Sequence, residues 1–173
     1  LVHHEAGGHG FGKLADEYIY HNSFVSACPG CGNAPYLAIL ANKSYGFYEN
    51  VSLTGDWNEI EWSHLIFDPQ YSNVVDVYEG AYMHARGVYR SEATSCMNNN
   101  IPYYSAISRQ AVVERIMDYA GETFDLESFY ALDSDEFGST TKAFGDVMPL
   151  ETIYDNGKQY APVYMGDKSD FLK

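Results

Sequence analysis

Leu1-Val2-His3-His4-Glu5-Ala6-Gly7-Gly8-His9-Gly10-Phe11-Gly12-Lys13-Leu14-Ala15-Asp16-Glu17-Tyr18 opens the chain and gathers more ligand chemistry than any other stretch of it. His4 stands beside Glu5, His9 follows five residues after His4, and Asp16-Glu17 come seven and eight residues after His9. A helix carrying His-Glu and a second His one turn later offers two imidazoles to one Zn²⁺, with the Glu able to serve as general base on an activated water. The common spacing sets the histidines four apart, about 400° of rotation; five apart is roughly 500°, a splay some 100° wider in an undistorted α-helix. A one-residue π-bulge would realign them, and such bulges are frequent at functional sites. Gly7 and Gly8, with no β-branched residue from His3 to Leu14, make that distortion cheap. Gly12, three residues past His9, is expected to end the helix in a left-handed conformation and swing Asp16 or Glu17 back as third ligand. Two histidines and a carboxylate leave a fourth position open, as in a catalytic rather than a structural zinc site.

The run from His3 to Tyr18 resembles the active-site helix of the bacterial immunoglobulin-A metallopeptidase family, whose usual form is close to His-Glu-Phe-Gly-His with a Leu-Ala-Asp-Glu-Tyr ending. The match is specific at Glu5, Gly8-His9 and Leu14 to Tyr18, while this chain has one residue more between His4 and His9. A His-Glu-x-x-x-His spacing also occurs in the dipeptidyl-peptidase III family. The added residue leaves His3 as a rival to His4. The immunoglobulin-A metallopeptidase family looks related to the metzincin zinc endopeptidases, so the resemblance implies an α+β metzincin-like fold. It further implies Zn²⁺ held by His4, His9 and Asp16, with Glu17 the rival third ligand, and Glu5 as base. Trp62-Ser63-His64-Leu65 and the stretch Tyr78 to Tyr82, Gly87 to Arg90 and Ser95 to Met97 resemble further segments of the family. Met97, followed by the turn formers Asn98-Asn99-Asn100 and Pro102, holds the place of the methionine turn that lies beneath the zinc in metzincins. Tyr103 and Tyr104 follow it, where some metzincins carry a tyrosine that reaches metal or oxyanion. A metzincin-like domain also needs a substrate-binding sheet ahead of the metal helix. Residues 1–173 are therefore expected to be the C-terminal portion of a catalytic domain truncated on its N-terminal side.

Composition bounds the rest. The 173 residues suffice for one domain with a hydrophobic core. A net charge of −14 leaves no basic stripe to neutralise phosphates, which argues against nucleic acid and against anionic membranes. No apolar run reaches membrane-spanning length, and Val2-His3-His4-Glu5 interrupts any signal-peptide core. An acidic, soluble, exported bacterial protein is the expectation: secreted, periplasmic or at the cell surface.

Three cysteines are too few for a four-cysteine zinc knuckle. Cys28-Pro29-Gly30-Cys31 therefore reads as a local disulfide, with a free pair as the second reading and Cys96 as a buried odd thiol. Gly32-Asn33-Ala34-Pro35 argues against a helix directly after it. Tyr18 to Phe24 shows no clean period. Two short apolar pieces, around Tyr36-Leu40 and Tyr45-Tyr48, lie between Asn33 and Asn50. Glu59 to Ile66 alternates as a half-buried strand or short helix would, with Trp62 and Leu65 as core. His64 is a minority candidate for substrate contact. Val74 to Tyr78 is β-rich and Glu79-Gly80-Ala81 reads as its turn. Ser105 to Gly121 is the clearest helix, with Ser105 at its start and Gly121 at its end. Its stripe is Ala106, Ile107, Ala111, Val112, Val113, Ile116, Met117 and Ala120. Asp125 is placed to cap a second short helix through Leu132, and the tail from Asp133 reads as strands and loops.

These readings converge on a zinc endopeptidase acting on protein or peptide. The rival class is a degenerate, non-catalytic module that holds extracellular protein or glycan, motivated by the added residue in the His-Glu motif.

Overall fold

The computed structural model describes residues 1–133 and the strand segments 153–155, 158–160 and 163–164. It is a mixed α+β chain built around a small mixed sheet. A π-helix, His3–Gly12, comes first and leads through an extended segment into β1, Ile19–Phe24. Then follow α1 (Ala34–Lys43), β2 (Val51–Ser52), α2 (Ser63–Ile66), β3 (Tyr78–Ala81) and β4 (Met83–Arg90). After these come α3 (Cys96–Asn99), α4 (Ala106–Ala120) and α5 (Leu126–Leu132). In the tail, β5 (Ile153–Asp155) pairs with β6 (Lys158–Tyr160), and β7 (Val163–Tyr164) pairs with β3; the rest of the tail lies outside the described residues.

β4 is the centre of the sheet. It pairs parallel with β1 and antiparallel with β3 and β2, and β3 carries β7 on its far side. Glu79-Gly80-Ala81 is strand rather than turn. Gly80, at φ 114°, makes the register shift there, and the reversal falls on Tyr82 and Met83, both left-handed. Ile19 packs where a Cβ on Gly80 would sit, 2.4 Å from its Cδ1, so only glycine lets β1 lie this close.

The helix barred by Pro35 in the sequence reading is present. Pro35 occupies the first turn of α1, where the missing N–H would have had no intrahelical partner, so it starts the helix instead of breaking it. Cys28 and Cys31 are disulfide-bonded in the turn ahead of it, and Cys96 is free and buried. Asp125 caps α5, its carboxylate accepting the Ser128 N–H at 2.8 Å. Ser105 sits at the N-cap of α4, but its hydroxyl donates to Ser108; Glu92 accepts the Ala106 N–H at 2.7 Å and does the capping. The apolar stripe of α4 is buried in its first half only, at Ala106, Ile107 and Ala111, whereas Ile116 and Ala120 are exposed.

The larger core cluster joins Trp57, Trp62, Leu65, Ile66 and Val75 to the start of α4. Trp62 is wholly buried and donates its indole N–H to the Asp76 carbonyl, 2.9 Å away. His64 faces Gln110 of α4 at 2.7 Å. A second cluster lies between α1 and the sheet, and a third, of Leu14, Met97 and Ala111, lies directly under the π-helix.

Candidate metal centre

The π-helix solves the spacing problem. Winding with about 4.4 residues per turn, it carries five residues through about 410°, close to the about 400° that four residues cover in an α-helix. The distortion spans the whole element rather than the single bulge expected. His4 and His9 thus come to one side, ring centroids 4.8 Å apart. Gly7 and Gly8 serve packing as well as winding: a Cβ on Gly8 would lie 2.3 Å from Met97 Sδ, and one on Gly7 2.3 Å from the Tyr104 hydroxyl.

The left-handed residue that ends the helix is Lys13, φ 54° and ψ 33°, not Gly12. Gly12 stays within the helix, where a Cβ would lie 3.0 Å from Val112 Cγ2 and 3.2 Å from the Gly7 carbonyl. Close packing, not backbone conformation, requires that glycine. Past Lys13 the chain is extended, and alternation decides which acid meets the histidines. Ala15 and Glu17 point into the core. Asn50 clamps both, accepting the Ala15 N–H at 2.8 Å and donating to Ala15 O and Glu17 Oε1 at 2.9 Å each. Asp16 therefore points out.

Asp16 Oδ1 lies 2.9 Å from His4 Nε2 and 3.1 Å from His9 Nε2. One ligand atom from each of the three lies within 4.8 Å of the others, an arrangement able to hold a metal ion. Ligands about 2.0–2.1 Å from a tetrahedral ion stand about 3.3 Å from one another, so Asp16 Oδ1 need draw back only slightly from each imidazole to admit one. The other nitrogen of each ring is engaged by backbone: His4 Nδ1 donates to Cys96 O and His9 Nδ1 to Leu14 O, both at 2.8 Å. With Nδ1–H spent on carbonyls, each Nε2 of a neutral ring presents a lone pair to the same carboxylate oxygen. That convergence asks for either a second proton on each ring or one cation among the three donors. His4 is buried while the His9 side chain is 32% exposed, so the group opens to solvent on the His9 side.

Glu17 is fully buried. It accepts the Ser95 hydroxyl and the Asn50 amide, and burial pushes its carboxyl up from the ordinary range. Its backbone N–H donates to Met97 O at 2.9 Å, and Arg90 donates to its carbonyl at 2.8 Å. Glu17 thus ties the ligand segment to the turn at Ser95–Met97. His3 is exposed, and its carbonyl accepts the Tyr104 hydroxyl. Tyr103 is buried and donates to Glu92 at 2.8 Å, away from the histidines. Met97 is fully buried beneath Gly8, among Leu14, Ala111 and Tyr104. Glu5 is exposed, one residue from His4.

Three contributors were not legible in the sequence. Asn50 and the Cys96 carbonyl come from distant elements, and no local pattern marks them. Tyr18 alone carried a signal, in its alternation with Asp16: its ring stacks on His4 at 6.2 Å and 19°. No described helix is long and apolar enough to cross a membrane. Comparison with protein-family models and with curated proteins finds no match to this chain.

Proposed function

We propose that the chain carries the zinc centre of a metalloendopeptidase of metzincin-like type. The observation that carries this reading is the convergence of His4 Nε2, His9 Nε2 and Asp16 Oδ1, with both Nδ1 atoms held by backbone carbonyls. A nitrogen-and-oxygen donor set of three with one open side suits Zn²⁺ in a catalytic role. Zinc bound there would polarise a scissile carbonyl and lower the pKa of a water toward neutrality. His4, His9 and Asp16 would hold the ion. Glu5, exposed beside His4, would serve as the base that takes a proton from the attacking water and passes it to the leaving amine. Met97 supports the π-helix from below by packing, the part a methionine turn plays, and the adjacent Cys96 carbonyl orients His4. The substrate is a protein or peptide, and the acidic composition suits an exported bacterial enzyme.

The alternative is a non-catalytic module that binds extracellular protein or glycan. Its motive was the added residue between the histidines, and the π-helical winding takes that residue up. The test is Glu5→Gln in the complete gene product, assayed on an unfolded protein mixture at neutral pH. The variant should keep stoichiometric zinc and lose hydrolysis by about 10²- to 10⁴-fold. Equal cleavage by the variant removes Glu5 from the mechanism. No cleavage by the zinc-loaded wild type favours the binding module.

A further inference from the structure

We propose that His21 and His84 form a second metal site, a two-imidazole clip across β1 and β4 that takes a divalent cation of the Cu²⁺–Zn²⁺ kind, Cu²⁺ before Zn²⁺. The site shares no residue with the His4–His9–Asp16 centre and stands or falls apart from it. β1 and β4 run parallel with His21 and His84 directly paired, so both side chains leave the sheet on one side. Their ring centroids are 6.2 Å apart, at 56°. His21 is exposed and His84 half-buried, so both rings are reached from solvent. The pair also falls where the strand pairing is least regular, with register shifts between Ile19 and His21 and again between His21 and Phe24. A cation shared by the two rings would fasten β1, an end strand of its sheet, to β4 at that place.

The rings are prepared for an ion. Ser23 Oγ lies 2.8 Å from His84 Nδ1, which fixes that ring and leaves its Nε2 to ligate. Burial, and after it the neighbouring His21, hold the His84 imidazole below its ordinary pKa, in the neutral form that offers a lone pair. An imidazole ligating at about 2.0–2.1 Å has its centroid about 3.2 Å from the ion, so two rings on one tetrahedral ion stand about 5.2 Å apart. The observed 6.2 Å therefore needs about 1 Å of closure, within reach of small rotations of two solvent-facing side chains. Arg86, two residues further along β4, is countered by Glu79 at 2.8 Å and sets no unbalanced positive charge beside the pair. Imidazole suits both ions, and for the same donors Cu²⁺ binds more tightly than Zn²⁺. Water fills the remaining positions, which makes the site open and exchangeable.

The experiment titrates Cu²⁺ into the complete gene product, stripped of metal, and reads bound copper by electron paramagnetic resonance alongside the melting temperature. One copper equivalent should show hyperfine structure from two imidazole nitrogens, persist in His4→Ala, and raise the melting temperature. His21→Gln and His84→Gln should each abolish that pattern and the copper-induced rise, with the metal-free melting temperature unchanged. Each should weaken the equivalent by at least the about 10- to 100-fold that loss of an outer partner costs, and Ser23→Ala by about 10-fold. His3→Gln, which removes another exposed histidine, should change nothing. Persistence of the two-nitrogen signal in either the His21 or the His84 variant overturns the proposal. So does its loss in His4→Ala, which assigns the copper to the first centre. Should a glutamine variant melt early without metal, Ser23→Ala decides, and wild-type copper affinity there overturns the proposal. Absence of the signal in the wild type overturns it as well and leaves the zinc reading of the first centre untouched.

Discussion

Gly8→Ala places one methyl group between the ligand helix and the residue beneath it. The new Cβ would stand 2.3 Å from Met97 Sδ and 2.9 Å from Met97 Cε, where an ordinary contact is about 3.5–4.0 Å. Something must give by more than an ångström. Methionine is flexible, but Met97 is wholly buried among Leu14, Ala111 and Tyr104, so it has little room to turn away. Overpacking of this kind costs about 1–3 kcal/mol, offset in part by the about 1 kcal/mol by which alanine outdoes glycine in a helix. Met97→Ala errs in the opposite direction and should cost about 2–5 kcal/mol through the cavity it leaves. In the double variant the methyl at position 8 enters that cavity, so the two losses should fall short of their sum by about 1–2 kcal/mol. Denaturant unfolding of the four proteins measures this coupling, with Met97→Leu as a volume-conserving control costing under about 1.5 kcal/mol. Zinc affinity should follow, because the Cys96 carbonyl that orients His4 is the neighbour of the displaced residue. Additive losses, within about 0.5 kcal/mol, would refute the contact and the support role drawn from it.

His4→Ala, His9→Ala and Asp16→Ala should each reduce bound zinc to trace levels by elemental analysis, while His3→Ala leaves it nearly unchanged; loss of metal in the His3 variant alone would shift the ligand register by one residue. Glu92 is buried, accepting from Tyr103 and from the Ala106 N–H, and burial raises its carboxyl from 4.5 to about 7. Between those values the folded protein keeps a proton that the unfolded chain has released, so its contribution is full below pH 4.5 and is lost as pH rises through about 7. That shift is worth roughly 3 kcal/mol. Glu92→Gln should flatten most of the fall in urea-unfolding stability across the window; a slope equal to wild type would contradict it. Glu17, raised in the same direction by burial, leaves a residual slope in the variant.

Much of the centre was readable because its parts are local. His4, Glu5, His9 and Asp16 lie within thirteen residues, and helical geometry alone demanded a rewinding to bring two histidines five apart onto one side. The extent of that rewinding was not readable. A single bulge and a full π-helix satisfy the same local requirement. The full form carries Gly8 over Met97 and Gly7 over Tyr104, contacts with elements about ninety residues away. The same holds for Gly12, whose type invited a left-handed reading until Val112 showed what its missing Cβ makes room for. Pro35 misled for a different reason: a helix breaker in the interior is a helix starter in the first turn, and only the boundary tells which.

By itself the sequence determined the candidate donor set, the need for a distorted helix, the cap of α5 by Asp125, the end of α4 at Gly121 and the odd cysteine, since each depends on residues close in the chain. Tertiary structure alone brought Asp16 rather than Glu17, and His4 rather than His3, to the side of His9. Adjacent acids in an extended segment point to opposite sides, and the inward side is whichever finds buried partners. Asn50 and Ser95 supply those to Glu17, and the Cys96 carbonyl supplies one to His4. No local pattern encodes them, because a buried polar group takes its position from a partner that the fold, not the neighbouring sequence, brings within reach.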